Sequence, residues 1–398
     1  MKAVIFAAGK STRTYPLTLT RPKPLLPVAN TTILEHQLNA LAGLVDGVLV
    51  VVGYRKEMIV EHLGDRYRDL SIEYVEQHET LGTGHALLQC ADRIDAPFLA
   101  MNGDDIFAAS DLQAVAALEQ GALAQRVEDP RLFGVFDVDD AGYVRRIVEK
   151  PDDDRLTLAN AGVYKFNPDV FDAIRETAPS PRGEIEITTA IQSLADAGGF
   201  RVQEIEGHWL SIGYPWDLIT ANEFLLEHAT PGEILGEVSP AAHVEGLLSL
   251  GKGSVIRPGV VIDGPVMIGA GCTIGPNAWL RPGTVIGNNC KVGMSVEIKN
   301  SILMEGARIP HLSYVGDSVV GANANLGCGT VTANFRHDGA NHRSLVKGEL
   351  VDTGRRKFGA IIGDDVHTGI NTSIYPGRKL WPGTSTLPGA IVNLDVLI

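Results

Sequence analysis

Cysteine is scarce in this sequence, and the few cysteines are not spaced as in a metal or redox motif. The 398 residues include 4 cysteines, and no two of them form a CxxC pair. This pattern excludes a disulfide framework and argues against a structural zinc site. The sequence also lacks an apolar run approaching the roughly 18 residues of a transmembrane helix, and it lacks a recognisable signal peptide. We therefore expect a cytoplasmic protein with no membrane partner.

Positive charge is also in short supply. Lysine and arginine number 34 against 48 aspartates and glutamates, so the formal net charge is −14. A protein that coats DNA or RNA needs a basic face, so this balance argues against nucleic acid as a partner. The 44% hydrophobic and 21% charged content is typical of a globular protein, and the length favours two domains.

The stretch FAAGKSTRTYP at residues 6–16 contains GKST, which resembles the end of a nucleotide-binding P-loop. That motif needs a glycine five residues before Gly9, and the residue there is Val4. The preceding KAVIFAA predicts a buried strand that ends in a turn of small residues, which lets backbone N–H groups approach an anion. Arg13 follows, and Lys23 lies between two prolines that restrict its backbone. We expect phosphate binding on another plan, although a βα turn with unrelated basic residues is the alternative.

Strand-like and helical patterns alternate before residue 230 and predict an α/β domain with a mostly parallel sheet. The predicted strands are KAVIFAA, DGVLVVVG, SIEYVEQ, APFLAMNGD, FGVFDV and NAGVYKF. The predicted helices are TTILEHQLNALAGL, KEMIVEHLGDRY, DLQAVAALEQ and EITTAIQSLADAG. Ligands of such a sheet bind at the carboxyl ends of its strands. We predict this domain at residues 1–228, a linker at 229–242 and a second domain at 243–398.

The second domain contains an internal repeat. Aliphatic residues recur every six positions, mostly followed by Gly, Pro or Asn, at Ile256, Ile262, Ile268, Ile274, Leu280, Ile286, Val292 and Ile298. This period fits neither a helix nor an alternating strand, and it predicts a parallel β-helix with three repeats in each triangular coil. The register slips after Met304 and returns later, while KGELVDTGRRKFG interrupts it and must loop out. A purely structural role for this domain stays open.

Five motifs in the first domain occur in the order found in one enzyme family: FAAGKSTRTYPLTLTRPKPLLPV, EQHETLGTGHAL, NGDDIF, EKPD and NAGVYKF. This half resembles the sugar-1-phosphate nucleotidylyltransferases. The second half, with HLSYVGD and GANANLGCGTVTANF, resembles the acetyltransferase domain of bifunctional N-acetylglucosamine-1-phosphate uridylyltransferases. GYPWDL and GRRKFGAIIGDDVHTGIN are most similar to the archaeal bifunctional branch. The resemblance implies a Rossmann-like nucleotidyltransferase domain followed by a left-handed parallel β-helix.

In this family a sugar 1-phosphate attacks the α-phosphorus of a nucleoside triphosphate and releases pyrophosphate, so positioning and charge neutralisation carry most of the catalysis. The resemblance implies that Arg13 and Lys23 act on the phosphates. It implies nucleotide binding by Ala7, Ala8, Gly9, Gln77, Gly82 and Thr83, with Gln77 at the pyrimidine edge. Asp104 follows a predicted strand and would hold Mg²⁺, although an N-cap or loop role is the alternative.

Sugar recognition maps onto the family positions occupied by Gly134, Glu149, Lys150 and Asn160. A solvated surface pair is the alternative for Glu149 and Lys150. One departure concerns the metal: the family usually has an acidic or amide ligand in a stretch like WLDIG, and this chain has Ser211 there. A hydroxyl is a poor Mg²⁺ ligand, so a water or Asp217 would have to substitute, or activity is weakened.

Acetyl transfer from acetyl-CoA needs a base, an oxyanion donor and groups that hold the substrate phosphate. The resemblance implies His311 as the base, and it implies substrate binding by Arg281, Lys299, Tyr314, Asn325, Cys328 and Asn334. There are departures here too. Phe335 and Cys328 replace the tyrosine and alanine of the bacterial pattern, and a later family lysine is absent, with Arg343 nearby. A turn residue is the alternative for His311.

The repeat adds geometry to this assignment. Lys299 follows Arg281 by 18 residues, which is three repeats, so both cations should lie on one face one coil apart. His311 lies where we take the register to slip, and irregular points in a regular coil often carry sites. The resemblance also implies a homotrimer with acetyl-CoA bound between subunits.

The chemistry leaves three functions open. The first is an enzyme with both activities, using UTP or dTTP, a sugar 1-phosphate and acetyl-CoA. The second is a glucose-1-phosphate nucleotidylyltransferase whose β-helix is structural or regulatory. The third is a non-catalytic sensor of sugar nucleotides, against which Lys23 and Asp104 count. The choice of nucleotide, and of gluco against galacto sugars, is not fixed by the sequence.

Overall fold

The computed structural model describes residues 1–152, 155–181, 183–230 and 232–397. Pro231 of the predicted linker and Ile398 of the predicted second domain lie outside the described residues. The chain divides into two units. The first consists of Met1–Lys10, Pro22–Leu25 and Ile33–Ser211, and the second of Ser11–Arg21, Leu26–Thr32 and Ile212–Ile398. The domain boundaries given above stay a prediction.

The first unit is built on a mixed β-sheet. Its parallel half has the strand order Phe98–Asn102, Lys2–Ala7, Gly47–Val52 and Leu70–Glu76, and its edge is the short antiparallel strand Arg66–Tyr67. Gly47–Val52 is buried throughout, as a central parallel strand covered on both faces requires. The chain runs from Lys2–Ala7 outward in one direction and later returns on the other side with Phe98–Asn102. The sheet order therefore reverses between these two strands, which is where open α/β sheets bind ligands.

The other half of this sheet is mostly antiparallel. Leu158–Phe166 pairs with Phe98–Asn102, with Gly134–Val138 and with Gln120–Arg126, each in antiparallel fashion. Val144–Glu149 extends the sheet beside Gly134–Val138, and Phe200–Glu204 lies parallel to Gln120–Arg126. A separate antiparallel pair joins Asp105–Phe107 to Trp209–Ser211. The Rossmann-like α/β prediction is confirmed, but the expectation of a mostly parallel sheet is wrong for this half.

Helices cover the sheet. They are α1 (Ile33–Leu41), α2 (Lys56–Leu63), α3 (Thr83–Leu88), α4 (Ala109–Ala116), α5 (Val170–Glu176) and α6 (Ile187–Asp196), and α7 (Asp217–Glu227) belongs to the second unit. All four predicted helices extend beyond the observed carboxyl ends, and two of them extend into a strand. Gly64 has a φ of 65° and ends α2, so the chain enters the strand Arg66–Tyr67. Gln120, predicted in a helix, begins the strand Gln120–Arg126, whose residues Gly121–Ala124 are buried at the centre of the antiparallel half.

The second unit contains three parallel sheets that the chain visits in rotation. Coil sheet 1 consists of Glu237–Val238, Val255–Ile256, Thr273–Ile274, Lys291–Met294 and Arg308–His311. Coil sheet 2 consists of His243–Glu245, Val261–Asp263, Trp279–Leu280, Glu297–Lys299, Tyr314–Gly316, Val331–Thr332, Ser373–Ile374 and Ile391–Val392. Coil sheet 3 consists of Leu248–Leu250, Val266–Ile268, Thr284–Ile286, Ile302–Leu303, Val319–Val320, Ile361–Ile362 and Lys379–Leu380. This rotation is what a parallel β-helix requires, and the repeated aliphatic residues form one buried column.

Each coil adds one strand to every sheet, and most early coils have 18 residues. Ile268 pairs with Ile286, whereas Ile286 pairs with Leu303 and is therefore followed by a shorter coil. The missing residue lies between Ile298 and Leu303, before Met304. Another five-residue step separates Val315 from Val320, and both residues are buried in the column. The register therefore slips earlier than predicted, and not at His311. Ile309 and Val315, on either side of His311, keep the regular six-residue step.

An excursion separates two neighbouring strands of coil sheet 3. Val319 pairs with Ile361, so the chain leaves the coil and returns to the next position of the same sheet. The excursion includes an antiparallel hairpin of Arg343–Val346 and Glu349–Asp352. This confirms that KGELVDTGRRKFG loops out, and it shows that the departure begins earlier, after Val331–Thr332. The second unit also includes the small hairpin of Pro27–Val28 and Thr31–Thr32. No helix within the described ranges is long and apolar enough to cross a membrane.

Candidate functional site

The carboxyl end of the first strand forms the core of the candidate nucleotide site. Ala7 and Ala8 are buried, whereas Gly9 is exposed and a Cβ there would meet nothing within 4 Å. Beside it, Phe6 pairs with Asn102, and the N–H of Gly103 donates to the carbonyl oxygen of Phe6 at 2.9 Å. The turn after the first strand and the turn containing Asp104 therefore lie side by side. This is the point at which the strand order reverses.

Lys23 lies at the same edge of the sheet. Its side chain is 4% exposed, and its Nζ donates to Oδ2 of Asp104 at 2.9 Å. The short helical turn Lys23–Leu25 contains Pro24 and is buried, so the backbone holds the ammonium in place. A buried lysine paired with a carboxylate that is itself 40% exposed leaves that carboxylate able to bind another cation. The arrangement offers one fixed positive charge and one accessible negative charge.

Ser211 lies close to Asp104 in the strand register. The strand Trp209–Ser211 places Ser211 opposite Asp105, the residue after Asp104, and Nε1 of Trp209 donates to Oδ2 of Asp105 at 2.8 Å. Nowhere in the described ranges do three or more His, Cys, Asp or Glu side chains group as metal ligands. Asp217 is in the second unit, where its Oδ2 accepts from the N–H groups of Gly213 at 2.9 Å and Tyr214 at 2.8 Å. The carboxylate available beside Lys23 is that of Asp104.

The predicted base-binding residues follow the strand Leu70–Glu76. Gln77 is 6% exposed, and its Nε2 donates to the carbonyl oxygen of Gly82 at 3.2 Å. Gly82 has a φ of 98°, and a Cβ there would lie 2.6 Å from the carbonyl oxygen of Ile185, so this position requires glycine. Thr83 begins α3, and its hydroxyl accepts from the N–H of Ile187 at 3.3 Å. Gln77 and the Gly82–Thr83 turn thus form one group, as the family motif implies.

The predicted sugar-binding residues lie in the antiparallel half of the sheet. Gly134 and Glu149 pair directly, and a Cβ on Gly134 would lie 3.0 Å from Oε2 of Glu149. Lys150 follows with a φ of 48° and is exposed. The amide of Asn160 already has partners: its Nδ2 donates to the Tyr164 hydroxyl at 2.9 Å, and its Oδ1 accepts from the N–H of Gly162 at 2.9 Å. Compared with Asn160, Glu149 is the more available side chain for a sugar hydroxyl.

Arg13 belongs to the second unit. Its guanidinium carbon lies 5.7 Å from the centroid of the Tyr214 ring, and Tyr214 stacks on Trp216 with centroids 4.7 Å apart. The hydroxyl of Thr14 donates to the carbonyl oxygen of Ser11 at 2.6 Å, which stabilises the turn that carries Arg13. Arg13 is exposed, and its guanidinium lies over the Tyr214 ring of the GYPWDL stretch. A cation held over a ring face keeps its donors available to an anion.

Two cations predicted to hold the substrate phosphate in acetyl transfer each have a carboxylate partner. Arg281 donates from Nη1 to Oε1 of Glu297 at 2.8 Å, and its guanidinium carbon lies 4.7 Å from the centroid of the Trp279 ring. Lys299 donates to Oδ2 of Asp317 at 3.2 Å. Because Trp279 pairs with Glu297 and Leu280 with Ile298, Arg281 and Lys299 occupy equivalent positions one coil apart. The prediction that these two positions lie on one face, one coil apart, is confirmed.

Tyr314 and Asn334 join the same group. Nδ2 of Asn334 donates to the Tyr314 hydroxyl at 2.9 Å and to Oδ2 of Asp317 at 2.6 Å. Burial, and then the negative charge of Asp317, raise the pKa of Tyr314 above its ordinary value, so the phenol keeps its proton at neutral pH. Four predicted residues are therefore gathered around Glu297 and Asp317: Arg281, Lys299, Tyr314 and Asn334.

The remaining predicted residues lie on coil sheet 1 or in the excursion. His311 is exposed and pairs with Met294, and Asn325 forms a bridge to Arg308 at the start of the same strand. Cys328 follows Asn325 and is partly exposed. Phe335 is 51% exposed in the excursion, and Arg343 is exposed in its hairpin. Among the described contacts, none joins His311 to the Lys299 group. Its role as the base stays a prediction.

Sequence reasoning missed the polar residues that hold the Lys299 group together: Asp317, Asn300, Glu223 and Arg355. Asp317 follows Lys299 by 18 residues, the same interval that linked Lys299 to Arg281. The coil is one residue shorter here and pairs Lys299 with Gly316, so this interval does not by itself place Asp317 beside Lys299. Glu223 lies on α7 and Arg355 in the excursion, so no repeat connects them to the coil. Their involvement was not accessible from spacing.

Comparisons with protein families cover both halves of the chain. The family described as nucleotidyl transferase matches residues 2–228. The family described as the GMPPB C-terminal domain matches residues 262–380.

Similar proteins extend over the whole chain. The bifunctional protein GlmU of Methanococcus maripaludis is 42% identical over 397 residues, which cover 99% of this chain and 95% of that protein. A bifunctional sugar-1-phosphate nucleotidylyltransferase/acetyltransferase of Sulfurisphaera tokodaii is 38% identical over 400 residues, which cover 100% of this chain and 98% of that protein. A solved UDP-glucose pyrophosphorylase with UDP-glucose shares the fold, with a TM-score of 0.52 at 24% identity, over 57% of this chain and 99% of that one.

Proposed function

This chain belongs to the nucleotidyl transferase family, and we propose that it is a bifunctional enzyme of nucleotide-sugar synthesis. It transfers a nucleotidyl group to a sugar 1-phosphate, and it acetylates an amino-sugar 1-phosphate. Relatives named for both activities match essentially the full length of the chain. This favours two activities over the alternative of one nucleotidylyltransferase with a structural β-helix. The resemblance described from the sequence is thereby confirmed.

The finer assignment for the first activity is UTP or dTTP with N-acetylglucosamine 1-phosphate or glucose 1-phosphate. The observation that carries it is the buried ammonium of Lys23 at the reversal of strand order, beside the open turn at Gly9. An oxygen of the sugar phosphate attacks the α-phosphorus, the bond to the β-phosphate breaks, and pyrophosphate leaves. Lys23 neutralises charge on the phosphates, and we assign Arg13 to the pyrophosphate and Gln77 to the base.

The donor set fits Mg²⁺ bound by a single protein carboxylate. Magnesium commonly takes one or two carboxylates together with substrate phosphates and waters, and Asp104 is accessible while Ser211 lies in the neighbouring strand. When bound, the ion would screen phosphate charge. In its absence Lys23 compensates the carboxylate, which keeps Asp104 from repelling the incoming phosphates.

The second activity uses acetyl-CoA. The amine nitrogen of the sugar attacks the thioester carbonyl carbon, the C–S bond breaks and coenzyme A leaves as its thiolate. The amine proton passes to a base, for which we propose His311, and from there it can protonate the thiolate. Arg281 and Lys299 are placed to hold the sugar phosphate, since they occupy equivalent positions on adjacent coils. Tyr314, Asn325, Cys328 and Asn334 complete the proposed substrate site. Sugar binding in the first activity is assigned to Gly134, Glu149, Lys150 and Asn160.

We further propose that residues 1–228 and 243–398 are the two domains, that the coil is a left-handed β-helix, and that the protein is a homotrimer. Exposed apolar side chains at the ends of coil sheet 1 strands support a partner surface: Met294 and Leu312 are 52% and 62% exposed. Sedimentation at several concentrations measures the oligomeric state, and a monomer at every concentration would contradict the trimer.

The decisive experiment is a substrate panel. UTP, dTTP and the other nucleoside triphosphates are each combined with glucose, N-acetylglucosamine and galactosamine 1-phosphates, and pyrophosphate release is measured. Acetyl-CoA consumption with glucosamine and galactosamine 1-phosphates is followed in parallel. We expect activity in both assays. Pyrophosphate release without acetyl-CoA consumption by any amino sugar would reduce the second domain to a structural role.

A further inference from the structure

A buried carboxylate, that of Asp317, lies at the centre of the proposed acetyl-transfer site. Its side chain is 1% exposed. Its Oδ2 accepts from Nζ of Lys299 at 3.2 Å and from Nδ2 of Asn334 at 2.6 Å, while its Oδ1 accepts from Nδ2 of Asn300 at 2.8 Å. All three side chains donate to it. A carboxylate is an acceptor only, so Asp317 dictates the orientation of every group around it.

The shortened corners of the coil explain how this carboxylate comes to be buried. Asn300 and Asp317 both lie where the coil takes a five-residue step, and their φ values are 45° and 50°. Asparagine and aspartate tolerate this left-handed conformation better than most residues. The N–H of Asp317 donates to the carbonyl oxygen of Lys299 at 2.9 Å, which stacks the two corners. The tight turn directs both side chains into one polar cluster.

The orientation of Asn300 is fixed from both sides. Its Nδ2 donates to Asp317 and also to Oε1 of Glu223 at 2.6 Å. Glu223 is itself held by Arg355, whose Nη1 donates to Oε2 at 3.0 Å. An amide oxygen turned toward either carboxylate would be repelled, so Asn300 can only donate. Oδ1 of Asp317 therefore accepts from Asn300, and Oδ2 accepts from Asn334. Lys299 donates to Oδ2 at 3.2 Å and to Oδ1 at 3.4 Å.

This arrangement determines which group Asn334 offers to a substrate. Its Nδ2 has two hydrogens, and these go to Asp317 and to the Tyr314 hydroxyl. Its Oδ1 is left as an acceptor. Because the Tyr314 oxygen accepts from Asn334, the phenolic hydrogen is left to donate. The Asn334 oxygen can accept a hydrogen bond from an amine, the Tyr314 hydroxyl can donate one, and the two cations can bind a phosphate. This group is therefore complementary to a small molecule that carries both an amine and a phosphate.

We propose that Asp317 is the positioning residue of the acetyl-transfer site: it fixes the amide of Asn334 and the ammonium of Lys299 in the orientation that binds an amino-sugar 1-phosphate. It acts through these residues and does not touch the substrate. This inference deepens the proposed second activity and rests on it. Supporting groups of this kind typically contribute about 10- to 100-fold to the function of the residues that they orient.

The test is Asp317→Asn, which keeps the shape and introduces an N–H donor. Since the neighbouring side chains are donors, Asn334 must turn its own oxygen inward and present N–H groups to the substrate. We expect kcat/KM for acetyl transfer to fall about 10- to 100-fold, with a rise in KM for glucosamine 1-phosphate and little change in KM for acetyl-CoA. Nucleotidyl transfer, which is assigned to the other unit, should remain within about twofold, and the unchanged KM for acetyl-CoA shows that the coil of the variant is folded.

A matched control and a rescue separate positioning from simple destabilisation. Asp365→Asn changes an exposed aspartate at another left-handed corner of the coil, with a φ of 57°, and it should leave acetyl transfer unchanged. In the exchange variant with Asp317→Asn and Asn334→Asp, residue 317 donates to a carboxylate at 334, and an acceptor again faces the substrate. We expect this variant to recover at least about tenfold over Asp317→Asn alone.

Calorimetry with glucosamine 1-phosphate distinguishes the failures. A wild-type protein that binds neither glucosamine 1-phosphate nor galactosamine 1-phosphate, and consumes acetyl-CoA with neither, overturns the proposed second activity and the role of Asp317 together. A wild-type protein that does both, with Asp317→Asn matching it in KM and kcat, leaves the activity standing and overturns the positioning role. An Asp317→Asn defect that the exchange variant does not relieve also overturns it.

Discussion

The two units place their candidate residues by different means. In the first unit the residues follow strand ends, and each turn has its own sequence: the open turn at Gly9, the proline-flanked Lys23 and the turn at Asp104. In the second unit Arg281 and Lys299 occupy one repeated position of a coil. A site made from turns is recognised by its residue types, whereas a site on a coil is recognised by its spacing. The difference predicts that the two activities can be removed separately.

The largest effect is expected from His311→Ala. Loss of a general base should lower acetyl transfer by about 10² to 10⁴-fold, while nucleotidyl transfer is retained. Acetyl-CoA consumption and pyrophosphate release are measured on the same preparation. His243→Ala, an exposed histidine on the first strand of coil sheet 2, serves as the control. Near wild-type acetyl transfer by His311→Ala would remove His311 from the mechanism.

Lys23→Ala is the reciprocal change in the first unit. Removing the buried ammonium should lower nucleotidyl transfer by about 10² to 10³-fold, comparable to the loss of one preorganised electrostatic group, and acetyl transfer should survive. Pyrophosphate release measures the rate of nucleotidyl transfer, and acetyl-CoA consumption measures the rate of acetyl transfer. Lys56→Ala removes a surface ion pair with Glu76 and should change neither. Equal loss of both activities would contradict their separation.

A buried cation in the second unit offers a contrast with Lys23. Lys379 is 2% exposed and its Nζ donates to the carbonyl oxygen of Leu345 at 2.7 Å. Burial lowers its pKa from 10.5 to about 8, although Asp395 opposes the shift. Between these values the unfolded chain binds more protons, so the free energy of unfolding should rise with pH by up to about 3 kcal/mol and show no such gain below pH 8.

Urea unfolding at pH 7.5 and pH 10 checks this dependence. Other groups titrate in the same range, so the comparison is with Lys379→Met. In this variant the free energy of unfolding should rise less between pH 7.5 and pH 10, by the amount that Lys379 contributes. Equal slopes for the two proteins would show that Lys379 keeps its ordinary pKa when folded.

The smallest effect is expected from Ser211→Asp. If Ser211 occupies the place of a missing metal ligand near Asp104, a carboxylate there should lower the Mg²⁺ concentration for half-maximal nucleotidyl transfer by about three- to tenfold. Ser211→Ala is the matched control, and it should leave the requirement unchanged because the hydroxyl contributes little. A requirement that is unchanged or raised in Ser211→Asp would mean that this position does not reach the ion.

The coil could be predicted further than the sheet because its signal repeats. Eight aliphatic residues at a fixed interval determined the rotation of strands through three sheets, and the same interval placed Lys299 beside Arg281. The interval failed where Leu303 takes the inward position one residue early. Asn300 adopts a left-handed conformation that shortens the corner by one residue. Counting aliphatic residues in steps of six does not detect this shortening, so the slip was predicted at His311.

The antiparallel half of the sheet was harder to predict. QGALAQR has the composition of a helix, yet it forms a strand because Phe200–Glu204 and Leu158–Phe166 pair with it on either side. In the candidate sites, residue types identified Lys23 and Asp104. They did not identify Asp317, whose role depends on Asn300, Asn334 and Lys299 meeting in space.

The excursion from the coil has a consequence for protein engineering. Val319 and Ile361 are neighbours in the ladder although a long segment separates them in sequence, so the ladder does not depend on the length of what is inserted there. The hairpin turns at Lys347 and Gly348, which are exposed and have φ values of 51° and 89°, and a Cβ at Gly348 would meet nothing within 4 Å. A peptide tag or a fluorescent reporter inserted at that turn should leave the stacking of the coils intact. The same position offers an attachment point for immobilising the enzyme on a surface.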